Sequence, residues 1–593
     1  MTKNIESNIS QIRFFLKKEG IDGFIIPHED EFLTEYIPKS SERLAWATGF
    51  TGSAGLSIIT KDSAVIFVDG RYTTQVKMEC SSNLFNFENL DPTSQENWVE
   101  KKFKVRERVG FNPKTLSLSK YLLLKKIFDK KSIALVETKN IIDKIWLERP
   151  KEPSGLVFHH SREFSGQSCT EKYHSLVKKL SDEKADSLFI SESENTCWLL
   201  NIRGNDLDYT PVLRCFSIFQ KNAKIILFSN HNISLEIKEY FNRNNITHMK
   251  IADIEKFLKI KNYKKTIFDP KTTPFEIAKI IKSNTASQTL KSNPCSLMKA
   301  CKNTTEIKGS KNAHLRDGVA LTRFLFWLNS ISERDEVDEL TVEDKLLEFR
   351  NENKELKSLS FNTIAGTAEN AAIVHYKANK KTNKILRRGD LLLLDSGGQY
   401  FDGTTDVTRT VAVLCGEEDI CDEKKDRFTR VLKGHIAIAS STFPIGTRGS
   451  DLDPLARKYL LEVGLNYSHG TGHGVGSFLG VHEGPQNISP SGTQEIKKGM
   501  IISNEPGYYK ENEYGIRIEN LVFTKENDDD NKLLYFETLT LSPIDKKLIE
   551  PGLMNPKEKK WLNDYHQEVC RSLSPFLNKD EVRWLKKSCE PIH

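Results

Sequence analysis

The chain has few of the features that mark disulfide-rich, zinc-ribbon or membrane proteins. Its 593 residues include ten cysteines, but these are scattered over the whole length and none forms a C-x-x-C pair. We therefore expect reduced thiols in a cytoplasmic protein. No apolar run approaches the length of a membrane span, and the first twenty residues lack the sustained apolar core and cleavage site of a signal peptide. The sequence predicts no membrane contact, and an amphipathic helix that ends at Gly20 in place of a leader.

A strong charge of one sign is also missing. The 87 basic residues nearly balance the 81 acidic residues, and the formal net charge of +6 is small for this length. Nucleic-acid-binding proteins usually concentrate positive charge, so no nucleic-acid partner is expected. The chain is too long for a single hydrophobic core, which predicts about two to four domains.

Two segments in the first half share one pattern of helix and strand. In the first, a helix around Ile9–Lys18 leads into the strand DGFIIP at 22–27, and a strand pair follows. In the second, a helix near Glu171–Leu180 leads into DSLFIS at 186–191, and a strand pair follows again. We expect two copies of one α/β unit.

Two changes of composition divide the chain into three segments. The charged, proline-marked stretch Glu148–Pro153 predicts the first boundary. The second lies near Asn303, where a long amphipathic helix begins, with Thr304, Thr305 and Glu306 as capping residues. We predict domains at residues 1–150, 151–302 and 303–593, the last ending in a helical tail.

The third segment places two aspartates beside apolar strands. Asp395 ends the run Leu391–Leu394, and Asp406 comes eleven residues later, before the strand-like VTRTVAV. Glycines between them allow the chain to turn. We expect opposed residues of such an antiparallel hairpin to be an odd number apart, which would put the two carboxylates side by side.

Glu505 and Glu519 repeat this pattern, and His473 lies in the glycine-rich loop HGTGHGVG. Each acid alone is typical of a surface carboxylate, and the histidine alone of a packed one. Acids in apolar strands, however, are costly unless they are paired. Four carboxylates and one imidazole in one site repel each other unless cations neutralise them, and oxygen and nitrogen donors without thiolate suit Mn²⁺, Co²⁺, Fe²⁺ or Zn²⁺.

The motifs around these residues resemble those of a known family. They are LLLLDSGGQYFDGTTDVTRT, HGTGHGVGSFLGVHEGP, SNEPGYY and YGIRIENLVF, with SERLAWATGFTGSAG and VDGRY in the first segment. The chain resembles the Xaa-Pro aminopeptidases, the aminopeptidase P branch of the pita-bread metallopeptidases, in their long three-domain cytosolic form. The resemblance implies an α/β and α+β multidomain fold, with two related creatinase-like α/β domains before a pita-bread catalytic domain. It also implies a homodimer.

The resemblance implies two divalent metal ions, with Mn²⁺ as the first choice. Asp395 and Asp406 would hold one ion, and Asp406 and Glu519 would bridge both. The ligands of the second ion would be Asp406, His473, Glu505 and Glu519.

Further roles follow from positions that match the family's motifs. Glu505 would carry a proton from the attacking water to the prolyl nitrogen, and His375 and His482 would contact the substrate backbone and the developing oxyanion. His469 would line the same site, although packing roles for these histidines stay open. The remaining predicted substrate residues are Arg517, which would fix a ligand carboxylate or compensate charge, and Glu35 and Arg71, which would hold the peptide's amino end from the first domain of the neighbouring subunit.

The implied reaction removes the N-terminal residue from peptides with proline in second position, by attack of a metal-bridging hydroxide on the Xaa-Pro carbonyl. This bond needs a dedicated site because its nitrogen carries no hydrogen and the ring restricts the preceding residue. Prolidases, which cut dipeptides, share the ligands but usually have one N-terminal domain. Methionine aminopeptidases usually lack two such domains. A non-catalytic peptide-binding protein of this fold would be expected to have lost the ligands.

Overall fold

The computed structural model describes residues 2–593 and divides them into two compact units. The N-terminal unit runs to Arg162 and continues over Gln167–Ser296, and the C-terminal unit consists of Glu163–Gly166 and Leu297–His593. The first two predicted segments thus share one unit, and the third makes up most of the other.

The chain up to Leu290 alternates helices and short strands. Its helices are α1 (Thr2–Glu19), α2 (Arg43–Thr48), α3 (Thr73–Glu79), α4 (Pro92–Lys102), α5 (Leu118–Asp129), α6 (Ile141–Ile145), α7 (Arg162–Ser165), α8 (Cys169–Asp182), α9 (Ser193–Leu200), α10 (Leu235–Arg243), α11 (Ile254–Lys261) and α12 (Phe275–Asn284). Its strands are β1 (Gly23–Pro27), β2 (Leu56–Thr60), β3 (Ala64–Val68), β4 (Asn86–Asn89), β5 (Arg108–Phe111), β6 (Ala134–Glu137), β7 (Val157–His159), β8 (Ser187–Ile190), β9 (Ile202–Gly204), β10 (Phe216–Gln220), β11 (Ile225–Phe228), β12 (Ile246–Met249), β13 (Lys265–Phe268) and β14 (Ser287–Leu290).

The predicted repeat is confirmed by the sheet topology. One six-stranded sheet has the order β4-β3-β2-β1-β5-β6, and the other has the order β12-β11-β10-β8-β13-β14. The pairing directions agree at every step, with parallel outer pairs and two antiparallel pairs in the middle. The strands DGFIIP and DSLFIS occupy equivalent central positions because both are apolar on both faces.

The two copies share one hydrophobic core. Ile25 of the first sheet and Ile218 of the second belong to a single cluster of buried side chains. The Nη2 atom of Arg214 lies 2.7 Å from the Oδ2 atom of Asp30, and both side chains are buried. Each copy covers apolar surface of the other, so we expect the two to unfold together.

The rest of the chain adds seven helices and fourteen strands among the described residues. The helices are α13 (Pro294–Ala300), α14 (Thr304–Ser330), α15 (Glu339–Asn351), α16 (Asp422–Ala439), α17 (Gly449–Leu461), α18 (Pro556–Leu573) and α19 (Lys579–Ser588). The strands are β15 (Leu356–Leu359), β16 (Ile364–Thr367), β17 (Leu391–Ser396), β18 (Gly398–Tyr400), β19 (Gly403–Thr404), β20 (Val407–Ala412), β21 (Thr442–Pro444), β22 (Gly472–Gly474), β23 (Glu483–Ile488), β24 (Ile501–Asn504), β25 (Gly507–Lys510), β26 (Tyr514–Arg517), β27 (Asn520–Glu526) and β28 (Leu533–Thr538).

Helices of the C-terminal unit pack against its mixed strands in separate buried clusters. One cluster joins α14 and α15 to β17 and β20, and another joins α16 and α18 to β26. The largest sheet of this unit has the order β21-β28-β27-β24-β22-β23, and smaller sheets hold β16-β17-β20, β15-β18-β19 and β25-β26. The strands that carry the predicted ligands are therefore held from behind by apolar helix faces.

The long helix predicted near Asn303 is confirmed as α14, and of the three predicted capping residues Glu306 takes part in its cap. Asn303 is the N-cap, because its side chain accepts hydrogen bonds from the amides of Thr305 and Glu306. The Glu306 carboxylate in turn accepts from the Asn303 amide, which completes a capping box. Over residues 2–593, no helix has both the length and the apolar content needed to cross a bilayer.

Candidate metal centre

Asp395 and Asp406 lie on one face of a long, interrupted hairpin. Asp395 in β17 is paired with Thr408 in β20, and the same register reappears beyond the break, where Gln399 pairs with Thr404. This register puts Asp406 opposite Gly397, so the two aspartates are diagonal neighbours. The expectation that they are directly opposed was therefore wrong, while the shared face was correct.

The break in this hairpin requires glycine. A Cβ atom on Gly397 would lie 2.0 Å from the Thr405 carbonyl oxygen and 2.2 Å from the Ser360 Oγ atom. The Ser360 hydroxyl donates to that same carbonyl at 2.8 Å, which fills the gap in the ladder. Only glycine, which has no side chain, lets the backbone at position 397 lie this close to Thr405, the residue before Asp406.

Glu505 and Glu519 sit at the break of a second long hairpin. Asn504 in β24 pairs with Asn520 in β27, and Gly507 in β25 pairs with Arg517 in β26 in the same register. The two glutamates are thus directly opposed although they are fourteen residues apart. The odd-interval rule expected from sequence fails here, because parity depends on the turn and not on the strands.

His473 enters from β22, which pairs with β24. Its amide donates to the Ser503 Oγ atom at 2.9 Å, and its Nδ1 atom lies 2.9 Å from the Gly474 carbonyl, to which it donates. In the neutral ring the Nε2 atom therefore carries no proton, and it faces the acids. It lies 3.4 Å from both Asp406 Oδ2 and Glu505 Oε1.

The predicted ligands converge. One ligand atom from each of Asp406, His473 and Glu519 lies within 4.8 Å of the other two. The Oδ1 atoms of Asp395 and Asp406 are buried and have no hydrogen-bond partner among residues 2–593. Buried carboxylate oxygens without a donor are costly, whereas a hard divalent cation accepts such oxygens as ligands. The residues present therefore fit the metal ions that the sequence predicts.

The pKa values of the site also favour bound cations. Burial raises the pKa of Glu519 well above its usual range, and the charges of Asp406 and Asp395 raise it further. Burial also raises the pKa of Asp395 to about 6, although Arg517 opposes the shift. The pKa of His473 is lowered by burial but raised more by its contacts with Asp406 and Glu505, to about 9. Nearby positive metal charge would lower the pKa values of these acids and favour their ionised forms.

Arg517 links both hairpins and is 1% exposed. Its Nη2 atom donates to Asp395 Oδ2 at 2.6 Å, and its Nε atom donates to the Thr408 hydroxyl at 3.2 Å. Thr408 donates in turn to Glu519 Oε2 at 2.8 Å. The structure therefore places Arg517 against a predicted ligand, in a geometry that fixes the carboxylates.

A second chain of hydrogen bonds runs from Arg517 to His469. Arg517 Nη1 donates to the Tyr509 hydroxyl at 2.7 Å, and that hydroxyl lies 2.9 Å from His469 Nε2. His469 Nδ1 lies 2.7 Å from the Gly470 carbonyl oxygen. Because Nδ1 must donate to this carbonyl, Nε2 accepts from Tyr509.

The other two predicted histidines also lie at this site. The ring of His482 is 4.4 Å from the ring of His473, in an edge-to-face arrangement. His375 follows Val374, whose carbonyl oxygen accepts from Arg517 Nη2 at 3.3 Å. His482 thus packs against a predicted ligand, and His375 directly follows a residue that binds Arg517.

Glu35 and Arg71 belong to the N-terminal unit. The Arg71 Nη1 atom is 3.7 Å from Glu35 Oε1, and Arg71 Nη2 is 2.7 Å from Asp69 Oδ2. Glu35 also accepts from the Ser53 hydroxyl at 3.1 Å. Within their own unit the two predicted residues thus face each other across a half-buried ion pair.

Sequence reasoning missed several residues that hold the site, among them Tyr509, Thr408 and Ser503. Tyr509 lies two positions after Gly507, whose partner is Arg517, so it shares a face with Arg517 in the β25–β26 hairpin. The turn at Glu511–Glu513 and the alternation of the strands could have identified it. No local pattern marks Thr408 or Ser503, because their role depends on pairing between distant strands.

Comparison with known proteins agrees with this architecture. The chain matches the metallopeptidase family M24 over residues 308–526 and the C-terminal region of peptidase M24 over 532–592. It matches the creatinase/prolidase N-terminal domain twice, over residues 9–145 and 148–306. The predicted fold class, two creatinase-like domains followed by a pita-bread domain, is confirmed.

Similar proteins extend over the full length. The probable Xaa-Pro aminopeptidase P of Laccaria bicolor is 36% identical and covers 100% of this chain and 94% of its own length. Aminopeptidase P2 of Arabidopsis thaliana is 35% identical and covers 99% of this chain and 89% of its own length.

Solved structures separate a full-length likeness from a partial one. The X-prolyl aminopeptidase of Caenorhabditis elegans, described as a cytosolic enzyme with a di-nuclear active site, has a TM-score of 0.92 and 30% identity, and covers 99% of this chain and 100% of that one. The Xaa-Pro dipeptidase of Bacillus anthracis covers 64% of this chain and 99% of its own at 22% identity, with a TM-score of 0.51, which shows a shared fold alone.

Proposed function

The chain belongs to metallopeptidase family M24, and we propose that it is an aminopeptidase that removes the N-terminal residue from peptides with proline in second position. The observation that carries this proposal is the convergence of Asp406, His473 and Glu519, whose ligand atoms lie within 4.8 Å of one another. The half-buried carboxylate of Glu505 lies 3.4 Å from the His473 ring. The full-length likeness to Xaa-Pro aminopeptidases supports the choice of substrate. The likeness to dipeptidases covers only 64% of the chain and concerns the fold.

We propose two divalent ions as cofactors, held as the resemblance implies. Asp395 would serve one ion, His473 and Glu505 the other, and Asp406 and Glu519 both. Such ions supply a nucleophilic water at neutral pH and polarise the scissile carbonyl. The oxygen-rich donor set supports Mn²⁺ as the ion.

Glu505 is the proposed proton carrier. Its Oε1 atom accepts from the Ser503 hydroxyl at 3.2 Å, which orients the carboxylate, and Ser503 also receives the His473 amide. Burial raises the pKa of Glu505, which favours the protonated form that a proton carrier must be able to adopt. It would then pass that proton to the prolyl nitrogen, which leaves as a secondary amine.

The other predicted residues would bind and orient the peptide. His375 and His482 would contact the substrate backbone and stabilise the oxyanion, and His469 would line the pocket. Arg517 holds Asp395 in place and reaches His469 through Tyr509. Glu35 and Arg71 would bind the peptide's free amino end, with their domain supplied by the neighbouring subunit.

Location and assembly are part of the proposal. We place the protein in the cytoplasm, which the description of the worm relative as cytosolic supports. Family resemblance supports a homodimer. Domain limits at 150 and 302 are supported by the matched N-terminal domains, of which the first ends at 145 and the second runs from 148 to 306.

A peptide panel tests this function. The purified protein with Mn²⁺ is incubated with Arg-Pro-Pro, Arg-Pro and Arg-Ala-Ala, and free arginine is measured. We expect release from Arg-Pro-Pro and little from Arg-Ala-Ala. Cleavage of Arg-Pro alone would make the protein a strict dipeptidase, and no metal-dependent release from any peptide would make it a binding protein.

A further inference from the structure

Four hydrogen-bond donors converge on the carboxylate of Glu339, the first residue of α15. The side chain is completely buried. It accepts from the Thr367 amide at 2.8 Å, the Tyr376 hydroxyl at 2.8 Å and the Lys384 amide at 3.1 Å, and the Asn370 amide group lies 3.0 Å from both of its oxygens. Every neighbour that reaches these two oxygens is a donor.

These donors bracket one segment of the chain, residues 367–384. Thr367 ends β16, Asn370 lies in the short turn Ala368–Ala372, and Tyr376 directly follows His375. Asn370 and Tyr376 are also bonded to each other at 2.9 Å. Glu339 therefore holds the backbone before and after His375 with a single carboxylate.

The same segment is also held by Arg517 and by strand β26. The Val374 carbonyl accepts from Arg517, which also binds Asp395. The backbone at Ala371 touches β26 so closely that a Cβ on Gly515 would lie 1.8 Å from the Ala371 oxygen. The segment around His375 is thus held at two places, and the hydrogen bonds of the Glu339 carboxylate go to none of the predicted ligands.

We propose that Glu339 is a positioning residue that sets the place of His375 relative to the metal centre. The proposal rests on the function given above, since it assumes that His375 contacts the substrate. Glu339 itself is neither a predicted metal ligand nor a predicted substrate residue. An ionised carboxylate suits this place because it only accepts, and the N-terminus of a helix favours negative charge.

The variant Glu339→Gln tests this proposal. It keeps the shape but replaces one acceptor oxygen by an amide donor that faces other donors, so the loop must shift. We expect kcat for Arg-Pro-Pro to fall about 10- to 100-fold, since a misplacement near 1 Å costs rates of this order. Tyr376→Phe, which removes a single donor and keeps the acid, should lower kcat less.

A combined variant separates positioning from general damage. His375→Ala alone should lower kcat, and adding Glu339→Gln to it should cause no further loss, because residues that act as a unit are not additive. Metal content should stay at the wild-type value in Glu339→Gln, in His375→Ala and in the double variant. Glu343→Gln, one turn further along the same helix, is the matched control and should retain wild-type kcat.

Three outcomes would overturn the proposal while the wild type remains active. They are wild-type kcat in Glu339→Gln, an additive loss in the double variant, and full activity in His375→Ala. If Glu339→Gln does not fold, Tyr376→Phe is used in its place. Its double variant with His375→Ala should then show no greater loss of kcat than His375→Ala alone. An inactive wild type would instead contradict the proposed function.

Discussion

Arg517 Nη2 lies 2.6 Å from Asp395 Oδ2 in a buried ion pair at the junction of the two hairpins. Breaking a buried pair by removing one partner leaves an uncompensated charge. Here the remaining charge would be a carboxylate that also faces the metal ions. The loss should therefore depend on whether the ions are bound.

We expect Arg517→Gln to lower the free energy of unfolding of the metal-free protein by about 3 kcal/mol. With Mn²⁺ bound, the loss should be smaller, because the ions compensate Asp395. Urea unfolding with chelator and with Mn²⁺ measures both values. Arg571→Gln, which breaks an exposed pair with Glu568, should change neither. Equal losses in both forms would contradict this expectation.

Asp406 and Glu519 should matter more for metal retention than any other acid of the site. Each is expected to serve both ions, so Asp406→Ala or Glu519→Ala should reduce the bound metal from about two ions per chain to one or fewer and abolish turnover. Elemental analysis after gel filtration gives the stoichiometry. Asp402 lies in the same hairpin but pairs with Arg316, so the variant Asp402→Asn should retain both ions. Wild-type turnover in either alanine variant would refute the ligand assignment.

Glu505→Gln should separate binding from catalysis. Gln keeps the shape and a ligand oxygen but cannot carry the proton, so kcat should fall about 10²- to 10⁴-fold with KM little changed. Steady-state kinetics with Arg-Pro-Pro provide both constants. Glu511→Gln, at the exposed turn between β25 and β26, is the control and should behave as wild type. A near-normal kcat in Glu505→Gln would exclude the proton-carrier role.

Acid should destabilise the protein through buried histidine. His566 is buried, and its Nε2 atom accepts from the Ile544 amide at 3.1 Å. Burial lowers the pKa of His566 to about 3, whereas the unfolded chain titrates near 6.5. Between these values the unfolded state binds one more proton, so this contribution to stability is complete above about pH 6.5 and is lost as the pH falls towards 3.

His566→Gln should therefore flatten the decline of stability below pH 6.5 by up to about 1.4 kcal/mol per pH unit. Urea unfolding at pH 7, 6 and 5 measures the slope. His593→Gln removes an exposed histidine of the same unit and should leave the slope unchanged. An unaltered slope in His566→Gln would show that the buried ring does not control acid stability.

Much of the fold could be predicted because it depends on local patterns of apolar and turn residues. The strands DGFIIP and DSLFIS, the helix after Asn303 and the two hairpins follow from the spacing of apolar residues and from glycine. The N-cap of α14 is Asn303, which was not among the predicted capping residues, because several adjacent polar residues could occupy that position.

The sequence by itself determined the candidate ligands, because acids and a histidine in apolar strands need a reason to be there. Only the tertiary structure decided how they meet: Asp395 and Asp406 diagonally, and Glu505 and Glu519 face to face. Register depends on turns and on pairing between distant strands, which no local pattern encodes. For the same reason Thr408 and Glu339 have no signal in the sequence, since their contacts join residues far apart in the chain.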